Sequence, residues 1–328
     1  MKRYSLKYYT LIIAILLIGG CENNNLDPNN PPVNSGWFFQ YSGVTNNLKS
    51  VQFLDSYTGF AIGSSFPVDS GKFIGTTDGG QTWFKKNTVA RDTNLTGLHF
   101  FNTFLGLLCG YQGKIVKTYN GGLNWYPVNS GTPNILTSIS FIDANTGFIS
   151  GYDGTILRST TSGDSWQVLS VPTTLDLFYI TFSSGQEIFA AGEAGKILYS
   201  NDGGNFWFDR SPGGSNNLTC VKFVNNLTGF ASGMNGTVVK TTNKGINWTV
   251  LNTGTNQWLH ALFFISENTG TAVGDNGTIL RTDNGGNTWE AVQSPTGSFL
   301  RSIFFIDNYS GWAVGENGTI IHTNNGIY

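Results

Sequence analysis

The chain has 328 residues and a formal net charge of −2, with 12% charged and 14% aromatic residues. Aromatics outnumbering charges suit a body of tightly packed sheets and argue against a disordered chain. The slight acidity excludes a strongly basic surface, and with it nucleic acid as the expected partner.

At the N-terminus Lys2, Arg3 and Lys7 precede an apolar run from Leu11 to Ile18, followed by Gly19-Gly20-Cys21. A basic head, a short apolar core and small residues before a cleavage point predict a signal peptide over residues 1–20. The run is too short to span a bilayer. Cysteine directly after Ile-Gly-Gly resembles the bacterial lipobox, which implies lipidation of Cys21 and a membrane-anchored lipoprotein in the cell envelope, outside the cytoplasm. Residues 21–34, rich in Asn and Pro, form a polar tether too poor in apolar groups to fold.

From residue 35 onward a repeat takes over. Trp37, Trp83, Trp125, Trp166, Trp207, Trp248 and Trp289 stand in register, the last six at steps of 42 and then 41 residues, a fixed period that marks one supersecondary unit repeated. The third unit reads Leu136 to Asp143, Thr146 to Gly151, Thr155 to Arg158 and Trp166 to Leu169. These are four short apolar runs separated by glycine-rich breaks, the pattern of strands. We call them A to D from the centre outward. Asp153-Gly154, Asn235-Gly236, Asn276-Gly277 and Asn317-Gly318 separate B from C, dipeptides that accept the positive φ angles of a two-residue hairpin. Before strand D, Thr76-Thr-Asp78-Gly-Gly80-Gln-Thr82-Trp83 matches the Asp-box pattern, so Asp78 and Asp202 are expected to serve turns.

Two columns recur. Phe53, Phe100, Phe141, Phe182, Phe223, Phe264 and Phe305 fall in strand A, as a blade buried on both faces requires. Gly63, Gly110, Gly151, Gly192, Gly233, Gly274 and Gly315 close strand B, where a turn would favour glycine. The seventh unit stops short of its tryptophan and lacks strand D, while residues 35–41 form a strand D with nothing before it. The fragments complete each other. The prediction for 35–328 is an all-β, monomeric, seven-bladed β-propeller of four-stranded antiparallel blades, with blade 7 closed by the N-terminal strand.

The Asp-box turns and the Gly-Asn-Gly-Thr-Ile-x-x-Thr pattern, as at Gly315 to Thr323, resemble the photosystem II stability and assembly factor-like propellers. The resemblance covers nearly all of 35–328. It implies a non-catalytic protein-binding scaffold with a protein partner, such as a membrane-protein client. A carbohydrate-binding propeller or a sialidase-like glycosidase acting on envelope or extracellular glycan is the alternative. A sialidase needs three arginines converging on the channel, and only Arg301 lies in an innermost strand, so no catalytic residues are expected.

Three constellations are candidate sites. Strand C carries a basic column, Lys117, Arg158, Lys240 and Arg281, which would either grip an acidic partner or tie turns together, as in a pair of Arg158 with Asp143 worth about 0–1 kcal/mol. The face of the D–A and B–C loops varies most between copies, and variable loops on a fixed scaffold are where binding resides. Trp258, Phe299, Tyr111, Tyr152, Ile135 and Phe66 are its candidate contacts, with exposed aromatics as anchors. Inside the channel, strand periodicity aligns Gln52, His99, Ser140, Thr181, Lys222, Phe263 and Phe304, with no acid–base pair among them. His99, His260 and His322 lie in three blades without further ligands at metal spacing, so neither a metal nor a cofactor is expected. Cys109 and Cys220 are placed far apart, as small buried residues.

Overall fold

A computed structural model of the chain describes residues 36–65, 69–86 and 94–325. The segments expected to be a signal peptide and a tether with Cys21, and the candidate Phe66, lie outside the described residues. The ring consists of seven four-stranded antiparallel sheets. Blade 3 is representative, with strands Leu136–Phe141, Gly147–Gly151, Ile156–Ser159 and Gln167–Val168. In blade 7, Leu300–Phe305, Gly311–Gly315 and Ile320–Thr323 are completed by Trp37–Gln40. The seam runs from Trp37 opposite Thr323 to Gln40 opposite Ile320. Both edges that an open sheet would expose are thereby paired.

In blades 2 to 7 the B–C joints are two-residue turns. Asp153, Asn235, Asn276 and Asn317 sit at φ of 53° to 56°, each followed by a glycine also at positive φ. Gln112 and Ala194 adopt the same angle in blades 2 and 4, so the repeat imposes the turn even where the residue offers no local preference for it. In the Asp-box turn, the Gly80 amide donates to Thr76 Oγ1 at 2.9 Å and the Thr82 amide to Asp78 Oδ1 at 2.9 Å. The same bonds recur around Ser200 and Asp202. The Phe206 amide, with help from Ser200 and Asn205, holds the Asp202 carboxyl below the usual carboxylate range. Both aspartates are consumed by their turns.

Between blades, the phenylalanine column stacks flat on the preceding blade: Phe60 on Phe100 at 4.0 Å, Phe230 on Phe264 at 3.6 Å, and Trp312 on Phe53 at 3.6 Å. Among the described residues Phe141 and Phe305 make no flat ring contact, and blade 4 departs from the pattern too. There Ile188 stands opposite Phe182 where other blades have glycine, and Phe182 meets Phe148 at 66° instead of flat.

The glycine column closing strand B has a different cause from the one expected. Gly110, Gly192, Gly233, Gly274 and Gly315 have φ between −165° and −179°, extended backbone open to any residue. The constraint is space. A Cβ at any of the seven would lie 1.9–2.4 Å from the carbonyl oxygen of the residue preceding strand A. That carbonyl accepts the amide of the residue after the glycine, as in Tyr152 to Ile135 at 2.8 Å, which pins the hairpin over the start of strand A.

Candidate functional site

Every described seam between blades is closed by a donor reaching one carbonyl of the next Asp-box turn. Lys117 Nζ donates to Ser162 O at 2.8 Å, Arg158 to Gly203 O at 3.0 Å, and Lys240 to Gly285 O at 3.0 Å. Where strand C carries Gly75 or Tyr199 instead, the residue after strand D takes over: Lys86 reaches Gly121 O at 3.1 Å and Arg210 reaches Lys244 O at 2.6 Å. Blade 7 uses neutral donors, Trp312 Nε1 and Gln40 Nε2, on Gly79 O. The seam facing Arg281 leads to residues outside those described. Lys117 also pairs with Asp164 at 2.7 Å. Arg158 turns to Gly203 and Asn205 of the next blade rather than to Asp143, which accepts the amides of Asn145 and Thr146. Lys117, Arg158 and Lys240 of the basic column are thus engaged in holding the ring together.

The opposite face has a different logic. In all seven blades the A–B register shifts at the start of strand A in the same way, as between Leu48 and Ser50, Leu177 and Tyr179 or Leu300 and Ser302. Such a bulge leaves one residue unpaired and re-aims it. The residues so placed are Lys49, Thr96, Thr137, Phe178, Thr219, His260 and Arg301, and all line the mouth of a central cavity of about 660 Å³. Alternation counted back from the deeper column gives this position the wrong parity, which is why sequence periodicity overlooked it. In blades 2, 3 and 5 the residue is threonine, whose hydroxyl donates to the next blade's strand A: Thr96 to Leu136 O, Thr137 to Leu177 O and Thr219 to Leu259 O, at 2.5–3.0 Å. In the adjacent blades 6, 7 and 1 it is His260, Arg301 and Lys49.

The position just before strand A divides the blades in a related way. Asn47, Asp176 and Asn217 accept an amide from the previous blade's B–C turn, each at 3.0 Å. Ile135, Trp258 and Phe299 have no such oxygen to offer. Blade 1 keeps the bonding Asn47 and blade 3 carries Ile135, but at one sector of the mouth blades 6, 7 and 1 gather Trp258, His260, Arg301 and Lys49, with Phe299 against Arg301. The Trp258 and His260 rings lie 4.9 Å apart, and the Arg301 guanidinium covers Phe299 at 5.2 Å. Arg301 pairs with Glu316, while His260 Nε2 stands 2.6 Å from both Asp275 Oδ1 and Arg301 Nη1. A neutral imidazole nitrogen serves only one of those at a time. Burial, with the Arg301 charge, drives the His260 pKa down to about 4 against the pull of Asp275. Burial and Arg301 likewise lower the Lys49 pKa, against Glu316.

Of the face residues expected from sequence, Tyr111 is exposed, whereas Trp258, Phe299, Tyr152 and Ile135 are half-buried. Tyr152 packs edge-on to Phe178, across the mouth from the Trp258 sector, and Asp176 and Glu193 also line the mouth. Deeper in the channel, Gln52, His99, Ser140, Lys222, Phe263 and Phe304 line the wall as the periodicity predicts, and Thr181 is buried. Among the described residues no cluster of His, Cys, Asp or Glu could hold a metal ion. Both Cys109 and Cys220 are buried free thiols.

Residues 240–327 match the family described as photosynthesis system II assembly factor YCF48. A solved structure of YCF48 bound to a D1 peptide superposes with a TM-score of 0.74 at 20% identity, covering 88% of this chain and 96% of that one. YCF48 from Cyanidioschyzon merolae gives 0.71 at 16% identity, covering 88% and 98%. The WD40 propeller of Doa1 gives 0.71 at 13% identity, covering 88% and 97%. No curated protein sequence matches this one. These likenesses show a β-propeller fold, with the family match confined to residues 240–327.

Proposed function

We propose that the protein is a non-catalytic, lipid-anchored propeller of the cell envelope that binds a polypeptide client at the channel mouth, as an assembly factor or scaffold. The observation that carries this reading is the sector of blades 6, 7 and 1, where side chains that close the ring elsewhere are replaced by Trp258, Phe299, His260, Arg301 and Lys49. Half-buried aromatics beside a desolvated cation match the composition of energetic anchors in protein interfaces. YCF48, a structural relative, has been solved with a D1 peptide bound, which supports a peptide as the kind of client. Asp275 and Glu316 are already engaged by His260 and Arg301, an arrangement suited to rigid presentation of a surface more than to proton transfer. The lipobox-like Cys21 would hold this surface near membrane clients.

The test is crosslinking in native cells followed by mass spectrometry, comparing wild type with Trp258→Ala/Phe299→Ala and with Cys21→Ala. A defined protein client, lost in the double variant and reduced without the anchor, is the expected result. Recovery of no client, or a client indifferent to both aromatics, would overturn the reading.

A further inference from the structure

A second feature lies below the mouth and does not depend on the client reading. Two lysines line the cavity, Lys49 at its rim and Lys222 in the deeper column. Neither has a carboxylate within ion-pairing distance among the described residues. Elsewhere in this ring Lys117, Lys240 and Lys244 are spent on carbonyls or on carboxylates. Lys222 instead faces the Tyr179 ring, its ammonium 4.8 Å from the centroid. Burial works against its charge, and the Tyr179 hydroxyl is a hydrogen-bonding partner of the ammonium. An ammonium that stays charged inside a protein without a counter-anion is costly, and a bound anion removes that cost.

The surroundings define the anion. At the level of Lys222, the strands A of blades 6 and 7 present Phe263 and Phe304, their rings 5.6 Å apart. Leu262 and Ile303 line the same wall. One cation with one phenol in an apolar wall suits a single negative charge better than a phosphate dianion, which would call for a second cation at the same depth. The volume of about 660 Å³ falls in the range of small-ligand sites, roughly 300–1,000 Å³.

We propose that the channel binds a small organic carboxylate with an apolar body, its carboxylate on the Lys222 ammonium and the Tyr179 hydroxyl and its body against Phe263 and Phe304.

Phenylacetate is a suitable probe, with phenylacetamide as its uncharged counterpart, titrated calorimetrically into the full chain. Saturable phenylacetate binding is expected, weakened about tenfold for the amide and about tenfold in Lys222→Met, the scale of losing one charge-assisted hydrogen bond. Lys222→Arg should retain binding. Tyr179→Phe removes only the hydroxyl and should weaken it severalfold, which keeps the test decisive if Lys222→Met fails to fold. Absence of saturable binding, equal affinity for acid and amide, or full affinity in both Lys222→Met and Tyr179→Phe would overturn the proposal.

Discussion

Blades 2, 3 and 5 and blades 6, 7 and 1 are built on the same repeat, yet they use one bulged position in opposite ways. In the first group Thr96, Thr137 and Thr219 spend their hydroxyls on the neighbouring strand. In the second, His260, Arg301 and Lys49 stand at the mouth beside Trp258 and Phe299. A repeat protein contains its own control: what recurs in every blade closes the ring, and what departs in adjacent blades is free for another task.

The most damaging way to test that division is at a position common to all blades. Gly192→Ala places a Cβ 2.0 Å from the Asp176 carbonyl oxygen; main chain cannot give way there, and a loss of about 3 kcal/mol or more is expected in denaturant unfolding. Acid titration separates the sectors next. His99, His260 and His322 are each held by burial at a pKa of about 4. The unfolded chain therefore takes up protons below about 6.5 that the folded ring refuses, so stability falls as pH drops from about 6.5 toward 4. His99 lies between Phe101 and Phe141, whereas protonated His260 could still pair with Asp275. His99→Phe should flatten the acid limb of a melting-temperature profile more than a change at His260 does.

At the mouth the readout changes from stability to binding. Trp258→Ala should weaken client binding by about 2 kcal/mol, some thirtyfold, when measured against the client recovered by crosslinking. An equal effect from Thr219→Val would erase the distinction between sectors. The smallest effect belongs to that threonine: Thr219→Val removes one hydroxyl bond to Leu259 O and should cost about 1 kcal/mol of stability, with client affinity unaltered.

Much of the ring was legible because its signals are local or periodic. The tryptophan period, the Asn-Gly turns and the complementary chain ends each follow from short-range chemistry, and blade 7 closes as those ends require. The glycine column was visible, but its cause was not, since a close approach between strand B and the main chain before strand A is a tertiary fact. The inter-blade donors were hidden for a similar reason. Lys86 and Arg210 follow strand D, whereas Lys117 and Arg158 lie in strand C, yet they end at the equivalent carbonyl. The mouth was half legible: Trp258 and Phe299 stood out as departures from the repeat, while Lys49, His260 and Arg301 were assigned to no column, because a one-residue bulge reverses the alternation on which that assignment rests.

The closing strand also determines how the molecule bears load. A pull applied at residue 36 enters the ring through four residue pairs, from Trp37 with Thr323 to Gln40 with Ile320. Drawn away from the ring, these pairs would separate in succession from the Trp37 end, so little force is needed to begin. Gln40, whose amide bridges Gly79 O and the Trp83 indole in blade 1, stands at the far end of that zipper as a stop. A propeller tugged from its N-terminus would thus yield first along this seam, which acts as a mechanical fuse for the remaining six blades.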